Sequence, residues 1–414
     1  MSEDPRRLLF VVNVTWFFLS HRLPIADAAK KAGYEVHVAA GGAQPHEIRR
    51  LEEAGLTFHS LDLRRSARNP FHNLTLLMQL ISLYRTLRPD LVHHVTVKPV
   101  MLGTLVARGT RVPAVVNAVS GLGYAFSAVN LGRRLLRRVV GWGYRICLRH
   151  PHMAMIFQNH DDRLEFCRWT RIERGETVLI AGSGVDLDRF RPTSEPAGPI
   201  KVLLPARMLR DKGVLEFCEA VGRLRALGLP VEGLLAGAID SENPASLREH
   251  DLRGLESLHG VRWLGHCDDM PQLFSTVHIV CLPSYREGLP KALIEAAAAG
   301  RALVTTDVPG CRDVVADGVN GLLVSARQVQ PLADALARVV SDSDLRARFG
   351  VASRRLAEQQ FGMERVIDCT LALYAELLGA STASGRYDHG RAGVPETAGP
   401  AVTTTRVRNP RPGP

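Results

Sequence analysis

The chain has 414 residues, 46% of them hydrophobic and 23% charged, with a formal net charge of +10. That length exceeds one ordinary core and predicts about two domains, and the composition excludes a disordered or fibrous chain. The seven cysteines, at 147, 167, 218, 267, 281, 311 and 369, form no C-x-x-C pair. A disulfide framework or zinc site is therefore disfavoured, and a reducing compartment is implied.

Arg6 and Arg7 precede the apolar run Leu8 to Leu19, which superficially resembles a signal peptide. The run is too short to span a bilayer, and Ser20, His21 and Arg22 follow where a small-residue cleavage site would stand. Leu8–Val14 therefore reads as a buried first strand, ending in a polar-aromatic loop. A helix around Pro24–Ala32 stops at Gly33, and the strand Glu35–Ala40 follows. Further strands are predicted at Leu91–Val95, Ala114–Val119 and Ala154–Gln158. Strands alternating with helical spacers predict a parallel sheet covered on both faces.

Residues 91–160 carry nine Lys or Arg and no Asp or Glu, a patch that attracts polyanions such as phosphorylated substrates or anionic headgroups. Its sharpest part is Leu131–His150, where Arg133, Arg134, Arg137 and Arg138 recur at i, i+4 spacing. Leu136, Val139, Val140, Gly143 and Ile146 fall on another face, with Trp142 and Tyr144 suited to an interface. Such a basic amphipathic stretch predicts contact with an anionic membrane surface.

After the turn-rich linker Glu195–Pro199 the pattern restarts. Strands are predicted at Ile200–Pro205, Val231–Ala236, Val261–Leu264, His278–Leu282, Leu303–Thr305 and Gly321–Val324, with a helix from about Val214. The predicted organisation is one α/β domain over 1–195, a second over 196–361, and a last helix over 362–378 that follows once the second is complete. Residues 379–414 carry almost no large apolar side chains, which predicts a disordered tail. No segment reaches the length of apolar chain needed to cross a bilayer.

The most informative segment is Ser284-Tyr285-Arg286-Glu287-Gly288-Leu289-Pro290-Lys291-Ala292-Leu293-Ile294-Glu295, running into an Ala-rich helix that Gly300 stops. Glu287 falls in the loop at the carboxyl end of a strand, where open parallel sheets bind ligands. The free amides from Gly288 and Leu289 past Pro290 suit an anion such as a diphosphate. Glu295 lies roughly 8 Å further along the helix axis. Two carboxylates so placed are suited to grip the hydroxyls at the two ends of a nucleotide sugar. A lone E-x7-E spacing is common in solvated loops and helices; the strand–loop–helix setting is what points to a site. A second cluster, Ala206-Arg207-Met208-Leu209-Arg210-Asp211-Lys212-Gly213, follows the first strand of the second half. Arg207 and Lys212 are suited to the negative charge that develops on a diphosphate leaving group, without a metal.

These two segments together resemble retaining glycosyltransferases of family 4, which have the GT-B fold: two Rossmann-like doubly wound parallel sheets facing across a cleft, with a C-terminal helix crossing back. Gly184-Val185-Asp186 with Phe190 and Pro192, and Asp317-Gly318-Val319-Asn320-Gly321, are similar to further motifs of that family. The resemblance covers about residues 8–378. It implies that Arg207 and Lys212 contact the donor diphosphate and that Glu287 touches the transferred sugar. The amides of Gly288, Leu289 and the residues after Pro290 would face the phosphates, Glu295 the ribose, and the backbone at Gly265 and His266 the base. It implies an enzyme that needs no cofactor and no metal, with the nucleotide sugar as co-substrate.

Leu91-Val92-His93-His94-Val95-Thr96-Val97-Lys98-Pro99 and Val116-Asn117-Ala118-Val119-Ser120-Gly121-Leu122-Gly123-Tyr124 resemble the subgroup that extends lipid-linked sugars for capsule, O-antigen or protein glycosylation. That implies a UDP-sugar donor, a polyprenyl-diphosphate-sugar acceptor and a cytoplasmic enzyme peripheral to the inner face of the plasma membrane. His21, Arg22, Lys98 and Ser120 are acceptor candidates. The sequence departs from the family where Asn13-Val14-Thr15-Trp16 replaces a Gly-Gly pair and Ser120 replaces a His. Two alternatives stay open: a nucleotide-sugar epimerase of the same fold, and a non-enzymatic basic protein binding membrane or nucleic acid. The acid pair is unexplained by the latter, so no nucleic-acid partner is expected. Asp186-Leu187-Asp188 and Asp342-Ser343-Asp344 imitate a metal-binding string, but read as linker and helix cap. His93 and His94 point to opposite faces of a strand and are not a paired ligand set.

Overall fold

The computed structural model describes residues 5–63, 70–119, 121, 141–170, 172, 176–241 and 243–382. The expectations for Ser120, for the arginines at 133–138 and for the tail from 383 lie outside the described residues.

Thirteen strands form two parallel sheets among the described residues. The first sheet contains β1 (Arg7–Val14), β2 (Glu35–Gly41), β3 (Thr57–Ser60), β4 (Leu91–Val95), β5 (Ala114–Val119), β6 (Met153–Phe157) and β7 (Thr177–Leu179). Their order is β3-β2-β1-β4-β5-β6-β7. The second contains β8 (Ile200–Pro205), β9 (Val231–Ala236), β10 (Val261–Trp263), β11 (Ile279–Leu282), β12 (Ala302–Thr306) and β13 (Gly321–Val324), in the order β10-β9-β8-β11-β12-β13. Each order reverses beside its first strand, the doubly wound arrangement in which ligands bind outside the carboxyl ends of the strands at the reversal.

The central strands are apolar without alternation because both faces are covered. Leu8, Phe10 and Val12 face one core layer, and Leu9 and Val11 face the other; all are fully buried. His93 and His94 follow the same division. His93 Nδ1 lies 2.5 Å from the Tyr374 hydroxyl on one face, while His94 meets Tyr84 and Asn117 on the other.

Tyr374 belongs to the last helix, Met363–Thr382, which returns to the first sheet. Val366, Leu373, Tyr374 and Leu377 are buried in one cluster with Leu8, Phe10 and Ile25. The chain thus crosses between the sheets twice, and the crossings are tied together. Val185 N donates to Phe361 O at 2.8 Å, and Met363 N donates to Val185 O at 3.0 Å.

Three local readings need correction. Residues after β1 are not a loop but a helix, Thr15–His21, whose Phe18 is fully buried while Trp16 is exposed. The sequence reading passed over β3 and β7, both short outer strands. In the helical residues 141–147, Tyr144 points inward against Phe166, whereas Trp142 and Ile146 are exposed. Packing against the first domain, rather than amphiphilic character, decides which aromatic reaches solvent there.

Candidate active site

The second domain places its charged side chains at the reversal between β8 and β11. The loop after β8 passes through Arg207 into a short 3-10 turn, Arg210–Lys212, and the helix Val214–Ala226. The loop after β11 carries Ser284 to Pro290 into the helix Lys291–Ala298. Backbone bonds knit the loops together: Tyr285 N donates to Asp211 O at 2.9 Å, and Glu287 N to Pro309 O at 3.2 Å. Thr305 Oγ1, on β12, donates to Leu282 O at 2.6 Å and pins the end of β11.

Lys212 and Glu287 meet as an ion pair, with side chains 20% and 11% exposed. The same Glu287 oxygen, Oε1, accepts from Ser284 Oγ at 2.7 Å. Two donors on Oε1 fix the carboxylate and leave Oε2 for another partner. Beneath the loop, burial and the neighbouring Glu287 push the Cys311 thiol up to about 12, so it stays protonated. Arg207 pairs with Asp240 on the loop after β9, and Asp240 N donates to Ser246 Oγ at 3.1 Å.

Gly265 lies on the neighbouring loop after β10, where its carbonyl accepts from Gly237 N at 2.7 Å. His266 beside it is exposed, its ring 3.1 Å from Asp268. The ends of β8, β9, β10 and β11 thus bring Arg207, Lys212, Gly265, His266 and Glu287 to the same edge of one sheet.

Glu295 sits deeper, 8% exposed, within 3.3 Å of Lys291 one helical turn before it. Burial raises its carboxyl above the ordinary range, and Lys291 and Arg189 oppose that shift. Pro290 occupies the cap position of that helix, with extended backbone. Having no N–H, it leaves the amides that follow it as the helix's open donors. Leu289 turns its side chain into the apolar cluster under the loop, so only its backbone can face a ligand.

The candidates from the first domain are dispersed. His21 stacks on Phe17 at 4.2 Å and meets Ser20 Oγ at 2.6 Å. Burial first, then Lys291 and Arg22, lower its pKa to about 3, leaving a neutral imidazole. Arg22 is 4% exposed beside Tyr374, and burial lowers its pKa to about 10. Lys98 precedes the short helical turn Pro99–Gly103, its pKa lowered by burial. Among the described residues no group of three or more His, Cys, Asp or Glu could hold a metal. Asp186 instead accepts from Asp188 N and Arg189 N at 3.0 and 2.9 Å, and Asp342 caps a helix through Leu345 N at 2.8 Å.

Sequence reasoning missed Ser284, Asp240 and the first-domain residues Asn159 and Asp162. Ser284 and Arg286 stood inside the quoted segment, but nothing in their spacing shows what they touch. Asn159 donates to Gly288 O at 2.5 Å, and Asp162 pairs with Arg286. The only available sign was an Asn three residues before an Asp at a helix start, which reads as an ordinary cap.

Comparison with known proteins agrees with this geometry. Residues 7–147 match a family model described as glycosyl transferase 4-like, and residues 199–342 one described as glycosyl transferases group 1. The N,N'-diacetylbacillosaminyl-diphospho-undecaprenol alpha-1,3-N-acetylgalactosaminyltransferase of Campylobacter jejuni is 29% identical, over 80% of this chain and 90% of its own length. An Escherichia coli UDP-Gal:alpha-D-GlcNAc-diphosphoundecaprenol alpha-1,3-galactosyltransferase is 25% identical, over 64% of this chain and 71% of its own. Among solved structures, a glycosyltransferase from Rickettsia africae superposes with a TM-score of 0.72 at 17% identity, covering 91% of this chain and 99% of that one. Anabaena HepE in complex with UDP and glucose also gives 0.72 at 17% identity, covering 90% of this chain and 100% of its own. The two matched models succeed one another along the chain and together span well over half of it: this protein belongs to the family 4 glycosyltransferases and has their GT-B fold.

Proposed function

We propose that the enzyme transfers a sugar from a UDP-sugar to a polyprenyl-diphosphate-linked sugar, with retention of the anomeric configuration. The observation that carries the reading is the meeting of Lys212 and Glu287 at the reversal between β8 and β11. The acceptors named for those relatives, diphospho-undecaprenol sugars, support the acceptor class. The UDP-Gal donor named for one relative and the UDP in HepE support the nucleotide. Retention rests on the family likeness.

In this reading the donor diphosphate lies across Arg207, Lys212 and the amides from Gly288 onward. As the glycosidic bond breaks, its electron pair passes to the departing phosphate oxygen, and the two cations stabilise that charge. Arg207 and Lys212 are held meanwhile by Asp240 and Glu287, which keeps both cations aimed into the cleft. Glu287 Oε2 accepts a hydroxyl of the transferred sugar, and Glu295 accepts ribose hydroxyls. Neutral His21, beside Lys291 at the domain boundary, is placed to hydrogen-bond the acceptor sugar.

The acceptor's prenyl chain would stay in a membrane. No described helix is long and apolar enough to cross one. Peripheral contact through the first domain fits the exposed Trp142, Ile146 and Arg149.

The test is a panel of UDP- and GDP-sugars with prenyl-diphosphate-sugar acceptors, read by nucleotide release, product mass and anomeric coupling. Nucleotide-sugar turnover that never needs an acceptor would instead identify an epimerase.

A further inference from the structure

The loop that carries Glu287 is gripped from the opposite domain. Arg286, immediately before Glu287, reaches across to the helix His160–Thr170, where it pairs with Asp162 and with Glu165 at 2.7 Å. Asp162 is the more telling partner because its side chain is only 2% exposed. A buried carboxylate needs a counter-charge, and here the counter-charge comes from the other domain. Burial works against the Arg286 charge, but Asp162 and Glu165 together hold its pKa above the ordinary value.

On the other side of Glu287, Gly288 O accepts from Asn159 Nδ2 at 2.5 Å. Asn159 is itself fixed, because its Oδ1 accepts from Asp162 N at 2.7 Å as a helix cap. One capping residue therefore serves the first-domain helix with its oxygen and the second-domain loop with its nitrogen. Gly121 closes the third side: a methyl there would lie 3.3 Å from Gly288 N. Two outer contacts lie along the same seam, Arg312 with Asp161 at 3.3 Å and Lys291 Nζ with Ser20 O at 2.9 Å.

We infer that Asn159 and Asp162 are positioning residues for sugar transfer: through Arg286 and the Gly288 carbonyl they set the Glu287 carboxylate from across the cleft. The donor loop is thus complete only while the two domains are docked. UDP binding, held in that reading by Arg207, Lys212, Glu295 and the loop after β10, does not turn on the Glu287 carboxylate. The inference rests on the reading that Glu287 handles the donor sugar.

The test compares Asn159→Ala, Asp162→Asn, Arg286→Ala and the double variant Asp162→Asn/Arg286→Ala in the full-length enzyme. Measured quantities are kcat, KM for the UDP-sugar, the calorimetric Kd for UDP, and the unfolding temperature. Each single variant is expected to lose at least tenfold in kcat while the UDP Kd stays within threefold. The double variant should lose no more than the worse single one, because both remove the same contact. A kcat within twofold of wild type in folded Arg286→Ala overturns the inference, as does an additive double loss or a loss that tracks the UDP Kd. If a variant melts, Glu165→Gln, which removes only the more exposed partner, gives the same comparison with a smaller expected loss of about threefold. If the wild-type enzyme turns over no nucleotide sugar, the functional reading has failed. The grip itself is then judged by small-angle scattering, which must show an opened molecule for Arg286→Ala and otherwise overturns it.

Discussion

Lys212 and Glu287 stand 75 residues apart in the chain and close an ion pair across the point where the second sheet reverses its strand order. Each is the other's main counter-charge in a largely buried setting, and Ser284 adds a third group to the carboxylate. Removing either member leaves the other uncompensated at the floor of the cleft. Lys212→Ala and Glu287→Ala are each expected to lower kcat by at least 100-fold. The cleft still admits water to the remaining charge, so the stability loss should stay within about 1–3 kcal/mol. Steady-state kinetics with thermal unfolding separate the two effects. Unchanged turnover in both variants defeats the assignment.

The backbone under Glu287 offers a more selective probe. Gly310 has φ +82, and a methyl added there would come within 2.6 Å of Gly288 O and 2.7 Å of Glu287 O. A real side chain cannot sit so close to backbone. Gly310→Ala must therefore push the donor loop away from the loop after β12, without deleting a charged group. The expected outcome is a kcat loss of about tenfold or more with a folded protein, destabilised by about 1–3 kcal/mol. Activity equal to wild type would mean that the loop's exact seat is unimportant.

Much of this architecture was legible in the sequence because its strands are buried on both faces. Leu8–Val12 and Ile279–Leu282 read as unbroken apolar runs, and such runs have few other uses. Thr57–Ser60 was not legible: as an edge strand of four residues it is half exposed and mixes polar with apolar side chains. Thr15–His21 misled for another reason, since Trp16, Phe17 and Phe18 give no clear helical stripe and only tertiary packing of Phe18 and Leu19 decides the conformation. At the site, the residue types of Arg207, Lys212 and Glu287 with their strand-end settings pointed to a shared edge. What holds them did not show. Asp240, Asn159 and Asp162 are ordinary polar residues in sequence, and their roles come from the mutual placement of separate loops and domains.

His94 gives the fold an acid sensitivity. Its Nδ1 donates to Asn117 Oδ1 at 2.9 Å, and its Nε2 accepts from the Tyr84 hydroxyl at 2.7 Å, so the neutral ring is fully used. Burial lowers its pKa from 6.5 to about 3. Between those values the unfolded chain takes up a proton that the folded chain refuses. Stability is therefore complete above about pH 7 and falls as the pH drops through the window toward 3, by roughly 2 kcal/mol from this residue at pH 5. His93, buried on the other face, shifts in the same direction. Urea midpoints should fall between pH 7.5 and 5.5, and His94→Gln should be less stable at pH 7.5 yet lose less on acidification. An unchanged pH slope in His94→Gln would remove this histidine as the cause.

The proposed membrane contact can be tested apart from catalysis, because the residues proposed to carry it lie in the first domain, whereas Lys212 and Glu287 lie in the second. Tyr144 and Leu148 anchor the helical residues 141–147 and the turn after them in the core, at 1% and 5% exposure. The opposite side presents Trp142 at 64% and Ile146 at 37% exposure, with Arg149 exposed beside them. An exposed indole next to cations suits the headgroup region, where each basic residue adds about 1 kcal/mol on an anionic surface. Trp142→Ala with Arg149→Glu is expected to reduce co-sedimentation with phosphatidylglycerol vesicles by about tenfold. Binding to purely zwitterionic vesicles should already be weak in the wild type and fall further only through the lost indole. Turnover of a short-chain, water-soluble acceptor should be unaffected, while turnover of a long-chain acceptor in vesicles should drop. Equal vesicle binding by the variant and the wild type would move the contact elsewhere on the molecule, since no other feature of these residues would then be engaged by lipid.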